Sequence, residues 1–232
     1  MPRHTEAQRS LANDDTQVQS AFDAAVRLYD KYLDKNAMIY NGISYSKNYS
    51  GMKGHQFFLE DYWEPGTVSY NGTAYDSIDL LYDVYNDLLL VENYSLSGTP
   101  SPIQLYAPKV NCFEFHGYHF IRMSDDTVSG IKAGYYNLMY DGHHAKALVK
   151  RRKEMIKSND VNSVNEVFMD RDRYYILLDG QMHQVKRRKS ILKVLSGKEK
   201  EVKAYIRKNG ISFKINADEQ IALVVEYYDS IQ

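Results

Sequence analysis

One cysteine, Cys112, stands in 232 residues, so an intramolecular disulfide and a thiolate metal cage are both excluded. It sits in an apolar alternating run and reads as a buried, inert thiol. No stretch reaches the roughly 18 uninterrupted apolar residues of a membrane-crossing helix. The opening Met-Pro-Arg-His-Thr-Glu lacks the apolar core of a signal peptide, which fits either a cytosolic protein or a mature chain with Met1 added. Catalytic motifs are missing too. There is no Gly-x-Ser-x-Gly elbow and no His-Glu-x-x-His, and Gly51-Met-Lys-Gly54 has neither the spacing nor the following helix of a phosphate loop. With 5 prolines and no Pro/Ser/Gly-rich linker, nothing splits the chain; a flexible polar leader over 1–15 and a single domain over 16–232 are expected. A net charge of −1 points by itself to no partner.

Tyrosine is what the chain has in excess: 21 Tyr against 8 Phe and 1 Trp. Such residues suit half-buried β surface, where the ring packs and the hydroxyl reaches a polar partner. Charge is uneven along the chain. Residues 146–214 carry 19 Lys and Arg against 8 Asp and Glu, and the remainder carries 10 against 22. That split marks either a basic docking face or two regions that complement each other within the fold.

Periodicity divides the chain into three parts. Val18, Phe22, Ala25, Val26, Tyr29 and Leu33 recur at three- and four-residue steps, predicting a helix over 16–35. Residues 36–65 read as loop with one or two short strands, among them 54–59. From 66 to 187 the pattern is a run of hairpins. Turns are signalled at Asn71-Gly72, Asn86-Asp87, His116-Gly117, Asp141-Gly142 and Asp179-Gly180, each between alternating runs. Connections this short exclude parallel pairing and predict an antiparallel meander. So long a meander has to curl into an open barrel or a bent sheet to limit its edges. In the last 45 residues the period returns to that of helices, with start signals at Ser190, at Ser196 with Glu199, and at Asn216 with Glu219; Asn209-Gly210 ends the second helix. The expected class is α+β, mainly β, with an N-terminal helix and C-terminal helices.

Chemistry has three candidate seats. Glu60, Asp61 and Glu64 flank Tyr62 and Trp63, the grouping of carboxylates and aromatic platforms seen at sugar clefts; a loop anchored to the sheet is the plainer reading. Trp63, Tyr62 and Tyr82 are the candidate ligand contacts. The basic runs Lys150-Arg-Arg-Lys153 and Lys186-Arg-Arg-Lys189 each end a predicted strand, where alternation lets half of each run share a patch: Lys150, Arg152, Lys186 and Arg188. Anionic lipid headgroups or an acidic protein suit that patch better than nucleic acid, since no helix-turn-helix or RNP motif is present. Histidines pair at His116/His119 and His143/His144. Adjacent histidines on a strand point to opposite faces, so no metal site is expected, and no cofactor.

Certain residues carry a resemblance. Gly66-Thr67-Val68 and Leu80-Leu81-Tyr82-Asp83, the lysine-rich strand end at 186–189 leading to Leu192, and the stretch Lys198 to Lys208 are four of its phrases. Ile211-Ser-Phe213-Lys214 and Tyr227-Tyr228-Asp229 complete the set. Over 38–232 the chain resembles a family of exported, functionally uncharacterised proteins of the Bacteroidota. The resemblance implies a signal peptide cleaved from the precursor, and hence the periplasm or the outer-membrane surroundings. The expected role is a non-catalytic envelope protein that binds a protein partner or ligand, with peripheral membrane contact a further option. A glycan-acting hydrolase using the carboxylates near Trp63, or a hydrophobic-ligand carrier, are the alternatives.

Overall fold

The computed structural model describes residues 38–232 except 47, 48, 50, 96, 161 and 162. The chain forms two compact units, Met1–Asn41 and Gly42–Gln232. Of the first, residues 38–41 are described, with a turn over 38–40; the expected leader and the expected helix over 16–35 lie outside the described residues.

The second unit is built on the turns that the sequence signals. After a short first strand, β1 (Ile43–Ser44), strand β2 (Glu64–Tyr70) turns into β3 (Thr73–Asp83) at Asn71 and Gly72. Both turn residues take positive φ, 52° and 78°, the twist that a two-residue hairpin loop requires. The Asn86-Asp87 turn leads to β4 (Leu88–Val91), and β5 (Ile103–Gln104) follows a loop. His116-Gly117 joins β6 (Val110–Phe115) to β7 (Tyr118–Met123), and β8 (Gly134–Asp141) turns into β9 (Ala145–Lys150). Two long strands, β10 (Lys153–Asp160) and β11 (Ser163–Asp170), form a separate two-stranded sheet, to which Lys53 adds an isolated bridge at Val167. The last hairpin, β12 (Arg173–Leu178) with β13 (Gln181–Val185), closes on Asp179-Gly180.

Eleven strands make one antiparallel sheet, in the order β1-β5-β4-β3-β2-β6-β7-β8-β9-β12-β13. It is bent and open, not closed. Register shifts at Gly66/Val68, Ser69/Tyr70 and Leu138/Tyr140 supply the bend, because an extra residue on one strand kinks it. The order departs from the continuous meander in two places. β3, β4 and β5 run out on one side of β2 and β1 joins them beside β5, so the chain crosses back to lay β6 on the other side of β2. Further on, β9 pairs directly with β12, and the β10–β11 ribbon is an insertion between them. Residues 54–59 form no strand, only an isolated bridge from Phe57 to Asp83.

Three helices follow: α1 (Arg188–Val194), α2 (Glu199–Lys208) and α3 (Ala217–Ser230). They bury Ile191, Leu195, Val202, Ile206, Val224 and Val225 against Ala145, Ala147, Ile176 and Val185 of the sheet. Each such aliphatic side chain contributes about 1.5–3 kcal/mol on burial. The expected caps differ in detail. Ser190 lies inside the first turn of α1, its Oγ accepting the Lys186 and Arg187 N–H groups at 2.9 and 3.1 Å. Neither α2 nor α3 has a side-chain cap bond; residues 196–198 form a short 3₁₀ turn instead, and Asn216 takes φ 50°.

The aromatic excess fills the other core. Tyr82, Phe113, Phe120 and Tyr135 are each at most 1% exposed. Their rings meet mostly edge-on, with Phe113 and Phe120 stacked at 4.7 Å.

Candidate anion-binding cleft

Strand β9 ends at Lys150 and β10 begins at Lys153, so the first basic run crosses the gap between two sheets and its four side chains part company. Lys150 turns inward. Its Nζ donates to Asp87 Oδ2 at 2.6 Å and lies 5.1 Å from the Tyr136 ring, while the fully buried Tyr82 donates to Asp87 Oδ1 at 2.6 Å. Burial lowers the Lys150 pKa although Asp87 acts to raise it. Arg151 is 7% exposed and bonds Asp172 and Asn137 at 2.7 Å each, and Asp218 as well. Its guanidinium lies against the Phe58 and Tyr118 rings. Lys153 donates to the carbonyls of His55 and Phe57 at 3.0 and 2.6 Å. Arg152 is the one of the four that lines the basic cleft, while pairing with Glu154 at 3.0 Å.

That cleft, about 340 Å³, brings Arg152 together with Arg171 and Arg173 from the β11–β12 connection and Lys186 from the end of β13. Two acids line it too, and both are engaged. Glu154 holds Arg152 and, at 3.8 Å, Arg171; Asp172 accepts from Arg151 and from the Arg152 N–H at 3.2 Å. Burial lifts the Asp172 carboxyl above the usual range, outweighing Arg151. Arg173 and Lys186 are exposed, and among the described residues neither has an acidic partner. The concavity therefore presents two uncompensated cations beside two arginine forks, a geometry suited to carboxylate or phosphate oxygens.

Of the four expected patch residues, Arg152 and Lys186 meet here. Lys150 is tied to Asp87, and Arg188 lies on α1 outside the cleft lining. Sequence reasoning missed Arg171 and Arg173, although the alternation Asp170-Arg171-Asp172-Arg173 at a predicted strand start was a signal that could have found them.

The other candidates do not converge. Glu60 and Asp61 are exposed on the loop before β2, Tyr62 is 53% exposed, Trp63 and Glu64 are half-buried, and Tyr82 lies in the aromatic core. None of these six lines the basic cleft. Cys112 is half-buried, and burial pushes its thiol pKa up. His119 pairs with Glu114 at 2.6 Å. The rings of His143 and His144 do come together, 4.6 Å apart, because both residues lie in the bend between β8 and β9 and not on a strand. Asp229 of α3 grips that turn, accepting the His143, His144 and Ala145 N–H groups at 3.1, 2.7 and 2.9 Å. Burial alone would raise the Asp229 carboxyl, but these donors hold it below its ordinary value. Among the described residues no group of three or more His, Cys, Asp or Glu is placed to hold a metal, and no helix is long and apolar enough to cross a membrane.

Comparison with protein-family models, with curated proteins and with solved structures returns no match.

Proposed function

We propose that this chain is a non-catalytic binding protein of the cell envelope, and that the basic cleft docks an acidic segment of a partner protein. One observation carries the reading: Arg173 and Lys186 share a concavity in which the available carboxylates are already committed to other cations. A fold that needed these cations for stability would pair them, as it pairs Arg151. Exposed and unpaired, they are free to attract an opposite charge and to fix its orientation. The envelope setting rests on the family resemblance of residues 38–232 alone.

A fluorescein-labelled dodecapeptide rich in Asp and Glu is the probe. Its binding, read by fluorescence anisotropy, weakens as salt rises, because exposed charges are screened beyond about 8–10 Å at physiological ionic strength. The double variant R173S/K186S binds it at least tenfold more weakly. Equal binding by the double variant and the parent would overturn the assignment. So would stronger retention on phosphatidylglycerol vesicles than on the peptide, which would hand the cleft to a membrane surface.

A further inference from the structure

We infer that a second, smaller chamber beside the basic cleft is a binding site for a free α-amino acid with an aliphatic or aromatic side chain. The chamber measures about 240 Å³ and shares Arg152 and Asp172 with the cleft. Drug-sized ligands take about 300–1,000 Å³, so this volume suits a smaller molecule. Its wall is apolar on one part, with Phe58, Leu59 and Tyr118, and carries both signs of charge on another, with Arg151, Lys153 and Asp170.

Two of its charged groups, Lys153 and Asp170, have capacity left over. Arg151 is more than nine-tenths buried, and its Nε finds no hydrogen-bond acceptor within the protein. That Nε has almost no accessible surface, so Arg151 offers a ligand its nearby charge and not this hydrogen bond. Lys153 spends two of its three donors on the His55 and Phe57 carbonyls and keeps one. Asp170 is exposed and has no ion pair among the described residues, although it is the cross-strand neighbour of Lys153. A zwitterion matches this layout: its carboxylate meets the spare Lys153 donor, its ammonium meets Asp170, and its side chain lies on the Phe58 and Tyr118 rings.

The mouth shows strain of the kind that collects at ligand sites. Leu59 takes φ 54°, and the Glu60 N–H reaches the Phe58 carbonyl at 2.6 Å, closing a three-residue turn of the rare hand around it. A leucine is a poor choice for that backbone, where glycine is at ease. Leu59 is 48% exposed and lines the chamber.

Calorimetric titration of the full chain with L-leucine and L-phenylalanine tests the idea. Saturable one-to-one binding is expected. N-acetyl-L-leucine, without the ammonium, and L-leucinamide, without the carboxylate, each bind at least tenfold more weakly, the size of one charge-assisted hydrogen bond. Asp170→Asn weakens leucine at least tenfold and leaves N-acetyl-L-leucine unchanged. Leu59→Gly, which relieves the backbone, weakens leucine several-fold without lowering the melting temperature. R173S/K186S leaves leucine binding intact, because neither residue lines the chamber; the acidic-peptide reading thus stands or falls separately. Absence of heat with both amino acids, or equal binding of the blocked forms, overturns the inference.

Discussion

The pentapeptide Val-Lys-Arg-Arg-Lys occurs twice, at 149–153 and at 185–189, and the two copies have opposite fates. Val149 and Val185 are both fully buried, so each copy leaves the sheet from the same footing. In the first, Lys150, Arg151 and Lys153 are drawn into the protein and every cation has a named partner. In the second, Lys186, Arg187, Arg188 and Lys189 are all exposed, and among the described residues none is in an ion pair. The difference lies in the element that each copy leads into. The first copy enters a ribbon and is hemmed in by Asp87, Asp172 and Asp218; the second enters α1 at the surface. Identical residues therefore hold the fold together in one place and stand open to a partner in the other.

The sharpest way to break that comparison is Arg151→Met. The substitution keeps the aliphatic bulk and removes the guanidinium from Asp172, Asp218 and Asn137, leaving Asp172 the Arg152 N–H and Asp218 the Tyr174 hydroxyl. Removing one member of a buried charged network costs about 3–5 kcal/mol, so the urea midpoint should collapse. The pair itself need not add net stability, since burial already outweighs Arg151 at Asp172. A triple variant with Arg151, Asp172 and Asp218 all made apolar should recover much of the loss.

Next in size is Lys150→Met, at about 1.5–3 kcal/mol for the lost charged hydrogen bond. Gly134→Ala attacks the same pair from the backbone. Gly134 has φ 137°, and an added Cβ would collide with Lys150 Nζ and Asp87 Oδ2. Both variants should unfold earlier on heating.

Rising pH offers a graded test. Burial holds Tyr136, beside Lys150, up to about 12, and raises Tyr82, Tyr135 and Tyr174 as well. An unfolded tyrosine ionises near 10. Between pH 10 and about 12 the unfolded chain loses protons that the folded chain keeps, so stability that is complete below pH 10 falls through that window. Lys150 has the opposite sign, because burial lowers its folded pKa, and it softens the fall at the lower edge. A urea midpoint that held steady from pH 10 to 12 would contradict the buried-tyrosine account.

The hairpins were legible because two-residue turns demand positive φ, and Asn71-Gly72, His116-Gly117 and Asp179-Gly180 meet that demand locally. The β10–β11 ribbon was not, since its polar strands and its tip between Asp160 and Ser163 carry no such signal. The site was half legible for a related reason. Strand alternation, applied to 150–153, would have kept Lys150 and Arg152 on one side; the strand stops at Lys150, and the rule stops with it. Arg171 and Arg173 reach the cleft only because β12 pairs with β9 across the insertion, a contact between residues far apart in sequence.

The smallest effects belong to the second copy. Replacing Lys186, Arg187, Arg188 or Lys189 singly with serine should alter stability by no more than about 0.5 kcal/mol, as for surface sites without partners. At α1 the sign even reverses. Arg188 and Lys189 occupy its first turn, where the positive end of the helix dipole disfavours cations by about 0.3–1 kcal/mol at low salt. Arg188→Glu should therefore raise the melting temperature slightly in dilute buffer, and the gain should fade as salt is added. Folding alone would favour an acid there, yet the chain places bases at 186–189. A melting temperature that fell on Arg188→Glu would show that these residues have a stabilising partner after all, and would erase the contrast between the two copies.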